Sequence, residues 1–206
     1  VYGFTGMVMK LVDDLAPAHV AVVFDSARKT FRNDIYADYK ANRTDPPEEL
    51  VPQFDLVREA TTALSLPQLE VPGFEADDLI ATYAELGEAA GIETVIVSSD
   101  KDLMQLVRSG VTMLDPIKQR RIARPEVEER FGVTPDKVVD VQALAGDSTD
   151  NVPGVPGIGV KTAAELINTY GDLDTLLASA KEIKQPKRRE NLFNFAEQAR
   201  ISRDLV

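Results

Sequence analysis

The sequence predicts an α/β body with an open, mostly parallel sheet, followed by a helical module, and three observations lead there. Over residues 1–124, apolar runs rich in β-branched residues alternate with helical patterns. Two of these runs, "HVAVVF" (19–24) and "TVIVSS" (94–99), are continuous rather than alternating, as parallel strands buried on both faces should be. From about residue 125 the strand signal stops, and short helical patterns follow between Gly, Pro, Thr and Asp.

Taken in order, "VYGFTGMVMKLVDDLA" reads as the interior of an amphipathic helix, so a chain that began further upstream is expected. The strand at 19–24 opens on His19 and ends at Asp25. "RKTFRNDIYADYKANRTDPP" fits neither period; polar, basic and laced with aromatics, it suits a mobile element above a site, at about 28–50. A helix over 48–65 is opened by "PPEEL", a short strand "QLEV" follows at 68–71, and a helix over 75–90 is closed by Gly91. The strand at 94–99 leads into a short helix "KDLMQLV", then "VTMLD" (111–115), beside which "RRIA" (120–123) can pair. In the module 125–206, "RPEVEERFG", "TPDKVVDVQALAG", "GVKTAAELINTYG", "DLDTLLAS" and "KRRENLFNFAEQAR" each read as helix.

Composition excludes several classes of function. The chain has no cysteine, which removes disulfides, thiolate zinc sites and cysteine nucleophiles and suits a reducing cytoplasm. Its single histidine, His19, sits at a strand entrance, a poor place for a triad base. No run approaches the roughly 18 apolar residues of a membrane span, so no membrane partner is expected. A formal net charge of −11 argues against coating nucleic acid by bulk electrostatics. Local basic clusters at 28–43, 118–124 and 181–189 leave room for a patchwise contact.

The acids carry the chemistry. Asp25 ends one strand, Asp100 and Asp102 follow another in "SSDKD", and Glu75, Asp77 and Asp78 open a helix after a third in "GFEADDLI". Ligands of open α/β sheets bind at the carboxyl ends of strands, so these acids are expected at one rim. Asp147 and Asp150, in "GDSTDN", would be brought over it by the helical module. Each has an ordinary reading as well: helix-dipole acids for Glu75, Asp77 and Asp78, an N-cap for Asp100, a strand-end turn for Asp25. Eight carboxylates gathered together would repel, and bound divalent cations relieve that. Oxygen-only donors favour Mg²⁺ or Mn²⁺ over zinc, and a cluster of this size suits two ions roughly 4 Å apart.

Beside the acids stands the opposite chemistry. In "VPGVPGIGVKTAAEL" Gly157 and Gly159 allow close backbone approach, and a helix starting near Val160 aims free N–H groups at an anion. Lys161 adds charge without base preference, which fits phosphate contact. Lys40 and Arg43, three apart, share a face if "YADYKANR" is helical, and there they could polarise a scissile phosphate while Tyr39 stacks on an unpaired base. A metal for the acids and a phosphodiester for the amides point to one polynucleotide substrate.

The ordered set "VVFD…TFR…YKANR…GFEADDLI…SSDKDLMQL…GDSTDNVPGVPGIGVKTA" resembles the 5′-nuclease (flap endonuclease) family, most of all the amino-terminal 5′–3′ exonuclease domain of bacterial DNA polymerase I. The resemblance covers nearly the whole chain. It implies a Rossmann-like, PIN-type core over 1–124 with a helical arch, then a helix-three-turn-helix DNA-binding module over 125–206 with its hairpin turn at 151–163. It implies divalent-metal-dependent cleavage near 5′ ends of branched, flapped or nicked duplex DNA, in replication and repair, in a bacterial cytoplasm at the nucleoid. By motif, Asp25, Glu75, Asp77, Asp78, Asp100, Asp102, Asp147 and Asp150 match its metal-site acids, with Asp25, Asp100 and Asp147 also taken as catalytic. Lys40 and Arg43 match its catalytic arch basics, with Arg32 and Tyr39 beside them on the DNA. Gly157, Gly159, Lys161 and Thr162 match its duplex-binding turn, where relatives often hold K⁺ on backbone carbonyls. The family begins with a strand bearing a further metal-site aspartate, upstream of the helix that "VYGFTGMVMKL" matches. A truncated and less active piece of a longer parent, with a polymerase domain as one possible neighbour, is therefore expected. Two rival readings stand beside the nuclease: a phosphatase built on "DKD", which leaves Asp147, Asp150 and the hairpin unexplained, and a catalytically impaired DNA-binding fragment.

Overall fold

The computed structural model describes all 206 residues. In chain order the elements are α1 (Tyr2–Leu15), β1 (Val22–Val23), α2 (Arg32–Ile35), α3 (Val51–Ala63), β2 (Gln68–Leu69), α4 (Ala76–Ala89) and β3 (Thr94–Val97). A 3₁₀ turn (Asp102–Leu106) leads to β4 (Val111–Asp115), β5 (Arg120–Ile122), α5 (Arg124–Phe131) and α6 (Val138–Ala145). Then come α7 (Val160–Tyr170), α8 (Leu173–Ala178), α9 (Pro186–Asn194) and α10 (Ala196–Leu205). The chain divides into two compact units: Val1–Thr30 with Thr44–Tyr83, and Phe31–Arg43 with Ala84–Val206.

In the first unit α1 packs on α3 and ends where Ala16 turns left-handed (φ 41°), its N–H bonding back to Val12. β1 and β2 run parallel with Val22 opposite Gln68, a shorter ladder than the apolar run 19–24 predicts. Exposed His19 lies three residues before β1, outside the ladder. The acid-rich start of α4 suits the positive end of the helix dipole.

In the second unit β3 and β4 are parallel with Thr94 opposite Val111, and β5 returns antiparallel with Ile122 opposite Met113, so "RRIA" does pair beside "VTMLD". β4 alternates buried and half-buried residues, and Val111 and Met113 have no exposed surface. The helical part follows the predicted order, except that "KRRENLFNFAEQAR" breaks at Phe195 into α9 and α10. α6 packs against both α7 and α10. Val138, Val141, Leu144, Ile167, Leu173, Leu176 and Leu192 are fully buried there, each worth roughly 1.5–3 kcal/mol of transfer free energy.

The predicted α/β body with a mostly parallel sheet and a helical module is therefore what forms, with its strands in a two-stranded and a three-stranded ladder. Between residues 28 and 50 the only helix is α2; Ala37–Asn42 is a run of turns, and Lys40 is left-handed (φ 57°). Lys40 and Arg43 thus do not share a helix face. A β-like Tyr36 (φ −142°) ends α2 before the chain reaches them.

Candidate metal and nucleic-acid site

In the first unit the acids meet at the start of α4. Asp25 Oδ1 accepts from Ala76 N at 2.7 Å, and Asp78 Oδ2 accepts from Glu75 N at 2.8 Å. Glu75, buried at 6 % exposure, accepts from Thr30 Oγ1 at 3.3 Å. Arg58 holds the Asp25 carbonyl (Nη2 to O, 3.1 Å), stacks on Phe24 and pairs with Glu70, fixing the end of β1. Asp77 is half-buried in the same first turn. Asp77 and Asp78 thus stand in the first turn of α4, as the helix-dipole reading has it, and Glu75 lies just before the helix.

In the second unit the acids are threaded on cations. Lys101 Nζ is hydrogen-bonded to Asp147 Oδ2 and lies 3.5 Å from Asp102 Oδ1. Burial raises the Asp147 carboxyl, but Lys101 and the Thr149 N–H outweigh it and its pKa falls below the ordinary range. Burial lowers the Lys101 ammonium, and the two carboxylates more than restore it. Asp102 moves upward, burial outweighing the Gln142 amide at 2.5 Å and Lys101. Exposed Asp100 accepts from Asp102 N at 3.0 Å, but the N-cap of the 3₁₀ turn is Lys101 rather than Asp100. Asp150 takes Arg43 at 2.5 Å and Lys40 at 3.6 Å. Lys40 N also donates to Asp150 O at 2.9 Å, and Asn42 to Ser148 O at 2.6 Å. The segment 38–43 is thereby docked on the loop 147–151.

That loop owes its shape to two glycines. Gly146 (φ 70°) and Gly154 (φ 59°) press backbone to backbone: a Cβ on Gly146 would lie 2.6 Å from Val152 O, and one on Gly154 would strike the Gly146 backbone. Asp147 and Val152 close the loop through reciprocal bonds of 2.9 and 2.8 Å. The chain then enters the hairpin turn. Gly157 is left-handed (φ 78°), Ile158 is buried, and Gly159 caps α7. Lys161 is exposed in the first turn of α7, with Thr162 half-buried beside it, as the motif predicts.

Two predicted nucleic-acid contacts do not survive. Tyr39 is 5 % exposed and packs with Val152 and Leu205, so its ring is not offered to a base. Arg32 is 7 % exposed, and its Nε donates to Leu205 O at 2.8 Å; it ties α2 to α10. Both belong to the core because long-range partners claim them. Conversely, Lys101, Gln142, Gly146 and Gly154 escaped the sequence reading. A lysine flanked by Asp100 and Asp102, and glycines bracketing "DSTDNVP", were the available signals.

No group of three or more acidic or histidine side chains forms a ready-made cation cage in this arrangement. The donor chemistry nevertheless fits a hard divalent cation: every candidate ligand is a carboxylate. Gln142 Oε1, buried with no partner, adds an acceptor beside Asp102 that water carried by a hydrated cation could satisfy.

Family models described as the 5′-3′ exonuclease N-terminal resolvase-like domain and the 5′-3′ exonuclease C-terminal SAM fold match residues 1–132 and 133–206. A DNA polymerase I of Rhizobium leguminosarum is 58% identical across 100% of this chain, which spans 21% of that protein. One of Bacillus caldotenax is 40% identical, and the chain spans 24% of it. A 5′-3′ exonuclease of Aquifex aeolicus is 40% identical over 90% of this chain and 64% of its own length. Among solved structures, T5 5′-exonuclease with divalent metal ions (zinc) bound superposes with a TM-score of 0.87 at 22% identity, over 98% of this chain and 79% of that one. A bacteriophage T5 flap endonuclease in a pseudo-enzyme-product complex with DNA and metal ions gives 0.87 at 22% identity, over 100% and 79%. At that identity the likeness is one of fold.

Proposed function

The chain belongs to the 5′-3′ exonuclease family, and on that premise we propose that it is the nuclease portion of a longer protein, a structure-specific 5′–3′ exonuclease and flap endonuclease. Its substrates would be branched, flapped or nicked duplex DNA met in replication and repair, in the bacterial cytoplasm at the nucleoid. No helix is long and apolar enough to cross a membrane. The carrying observation is the loop 146–154, which holds Asp147 and Asp150 against basic side chains and runs straight into the hairpin turn.

Asp25, Glu75, Asp77, Asp78, Asp100, Asp102, Asp147 and Asp150 are the groups we assign to two Mg²⁺ or Mn²⁺ ions. Bound there, such ions supply positive charge and a lowered water pKa. Lys40 and Arg43, now on Asp150, are suited to exchange that carboxylate for a phosphate as a strand arrives. The Gly157–Lys161 turn offers amide groups and one ammonium to the duplex backbone, and its carbonyls are the place for K⁺. The test is a 5′-labelled flap duplex incubated with Mg²⁺ and then with EDTA. Metal-dependent release of a short 5′ oligonucleotide is expected; tight binding without cleavage would leave only a DNA-binding fragment.

A further inference from the structure

Resting on the nuclease reading, we propose that α10 sets the cutting position: Ser202 and Gln198 hold Gly154, the joint between the acid loop and the hairpin turn, and thereby fix how many nucleotides separate the gripped phosphate from the cleaved one. Gly154 is held on every side. Its N–H donates to Ser202 Oγ at 3.0 Å, its carbonyl accepts from Gln198 Nε2 at 2.6 Å, and its Cα lies against Gly146. Ser202 has no exposed surface and returns its own proton to the Gln198 carbonyl at 2.7 Å, so the clamp closes on itself. Two residues later Pro156 O accepts from the buried Asn191 at 2.7 Å, anchoring the hairpin turn to α9.

Upstream of the joint stand Asp147 and Asp150; downstream stand Gly157, Gly159 and Lys161. Acid loop and turn are thus one continuous stretch, shaped by its own glycines, whose joint is pinned to α10 at Gly154 and to α9 at Pro156. Secondary-structure needs do not explain these bonds. Gly154 and Pro156 lie outside any helix or strand, and Gln198 spends a side chain on a loop carbonyl instead of solvent. Neighbouring nucleotides on one strand rise only about 3.4 Å along the duplex axis. A slip of that order at the joint would present the wrong phosphodiester, and misplacement by about 1 Å already costs a reaction on the order of 10²-fold. Gln198 and Ser202 are positioning residues; neither touches the substrate.

The experiment maps product lengths, at single-nucleotide resolution, from a flap duplex with Mg²⁺, using the chain and its Gln198→Met, Ser202→Ala and Lys161→Ala variants. Gln198→Met keeps volume on a half-buried position while losing the donor, so a folded protein is expected. Cuts at adjacent phosphodiesters should rise about threefold or more in Gln198→Met and Ser202→Ala, beyond any loss of rate. Lys161→Ala should raise KM and leave the cut where it was. A folded Gln198→Met that cuts more slowly at the unaltered position would overturn the gauge and leave the nuclease reading intact. No cleavage by the parent chain would overturn both.

Discussion

Lys101 is the residue on which the second unit's acids are strung, joining Asp147 and Asp102 by one ammonium. A chain of net charge −11 has carboxylates to spare, and here a cation of the protein's own stands between two of them. Asp147 is the most buried acid of the loop and also accepts the Thr149 N–H at 2.7 Å, so its oxygens are aimed before any ligand arrives. Asp147→Asn keeps the volume and that acceptor while removing the charge. If Asp147 bears a cation that stabilises the transition state by several kcal/mol, turnover should fall on the order of 10²-fold or more, with DNA affinity nearly unchanged. Single-turnover cleavage beside equilibrium binding checks this, and undiminished cleavage would remove Asp147 from the site. Lys161 acts on the other term. Exposed and without a carboxylate partner, it should contribute to binding through phosphate alone. Lys161→Ala should flatten the slope of log K against log salt by about 0.9, the loss of one phosphate contact, and an unchanged slope would take the duplex off this turn.

At the scale of elements, the loop 146–154 depends on glycine at both ends. Gly146→Ala would put a Cβ 2.6 Å from Val152 O at a φ of 70°, and Val152 cannot retreat because it is bonded to Asp147. A loss of roughly 2–5 kcal/mol is expected from left-handed strain and overpacking together, read as a lower urea midpoint. A midpoint equal to the parent's would mean that the loop can open. α8 shows a different control. Its N-cap Asp172 accepts from Thr175 N at 2.7 Å, and that backbone bond holds the carboxyl below the ordinary aspartate range. A depressed folded pKa stabilises above the unfolded value of about 3.9 and loses that help as pH falls through the folded one. Asp172→Asn retains an acceptor, so stability below about pH 4 should fall less steeply than in the parent. Parallel acid-denaturation curves would refute it.

How much of this the sequence disclosed follows from how local each signal is. The hairpin turn was legible because its glycines, its N-cap and Lys161 stand within five residues and obey helix-start chemistry. The helix 76–89 was legible from its acids and closing glycine. Tyr39 and Arg32 were misread because composition shows an aromatic or an arginine without showing that Val152 and Leu205, far along the chain, will claim it. Beyond α2, "YADYKANR" failed as a helix for a similar reason. Lys40 N bonds to Asp150 O, a partner that rewards a turn over a helical register.

The whole molecule divides its stability unevenly. The apolar side chains with no exposed surface lie in the second unit, in β4, α5, α6, α7, α8, α9 and α10. In the first unit α1 has no buried residue and α3 only Thr61, while Tyr2, Met9, Val51, Phe54 and Leu56 stay largely exposed. Apolar burial is the main favourable term in folding, so the free energy needed to open α1 and α3 locally must be far below that of α6 and α7. Native-state hydrogen exchange should show it. Amides of α1 and α3 are expected to exchange through openings insensitive to low urea, whereas those of α6 and α7 should exchange only with global unfolding and carry its full urea dependence. Ile167→Ala, emptying a fully buried site in α7, should cost roughly 2–5 kcal/mol and lower protection of α6 and α7 by that amount, while α1 changes little. If α1 instead lost protection in step with α7, the two units would unfold as one cooperative body, and the uneven core would not govern local stability.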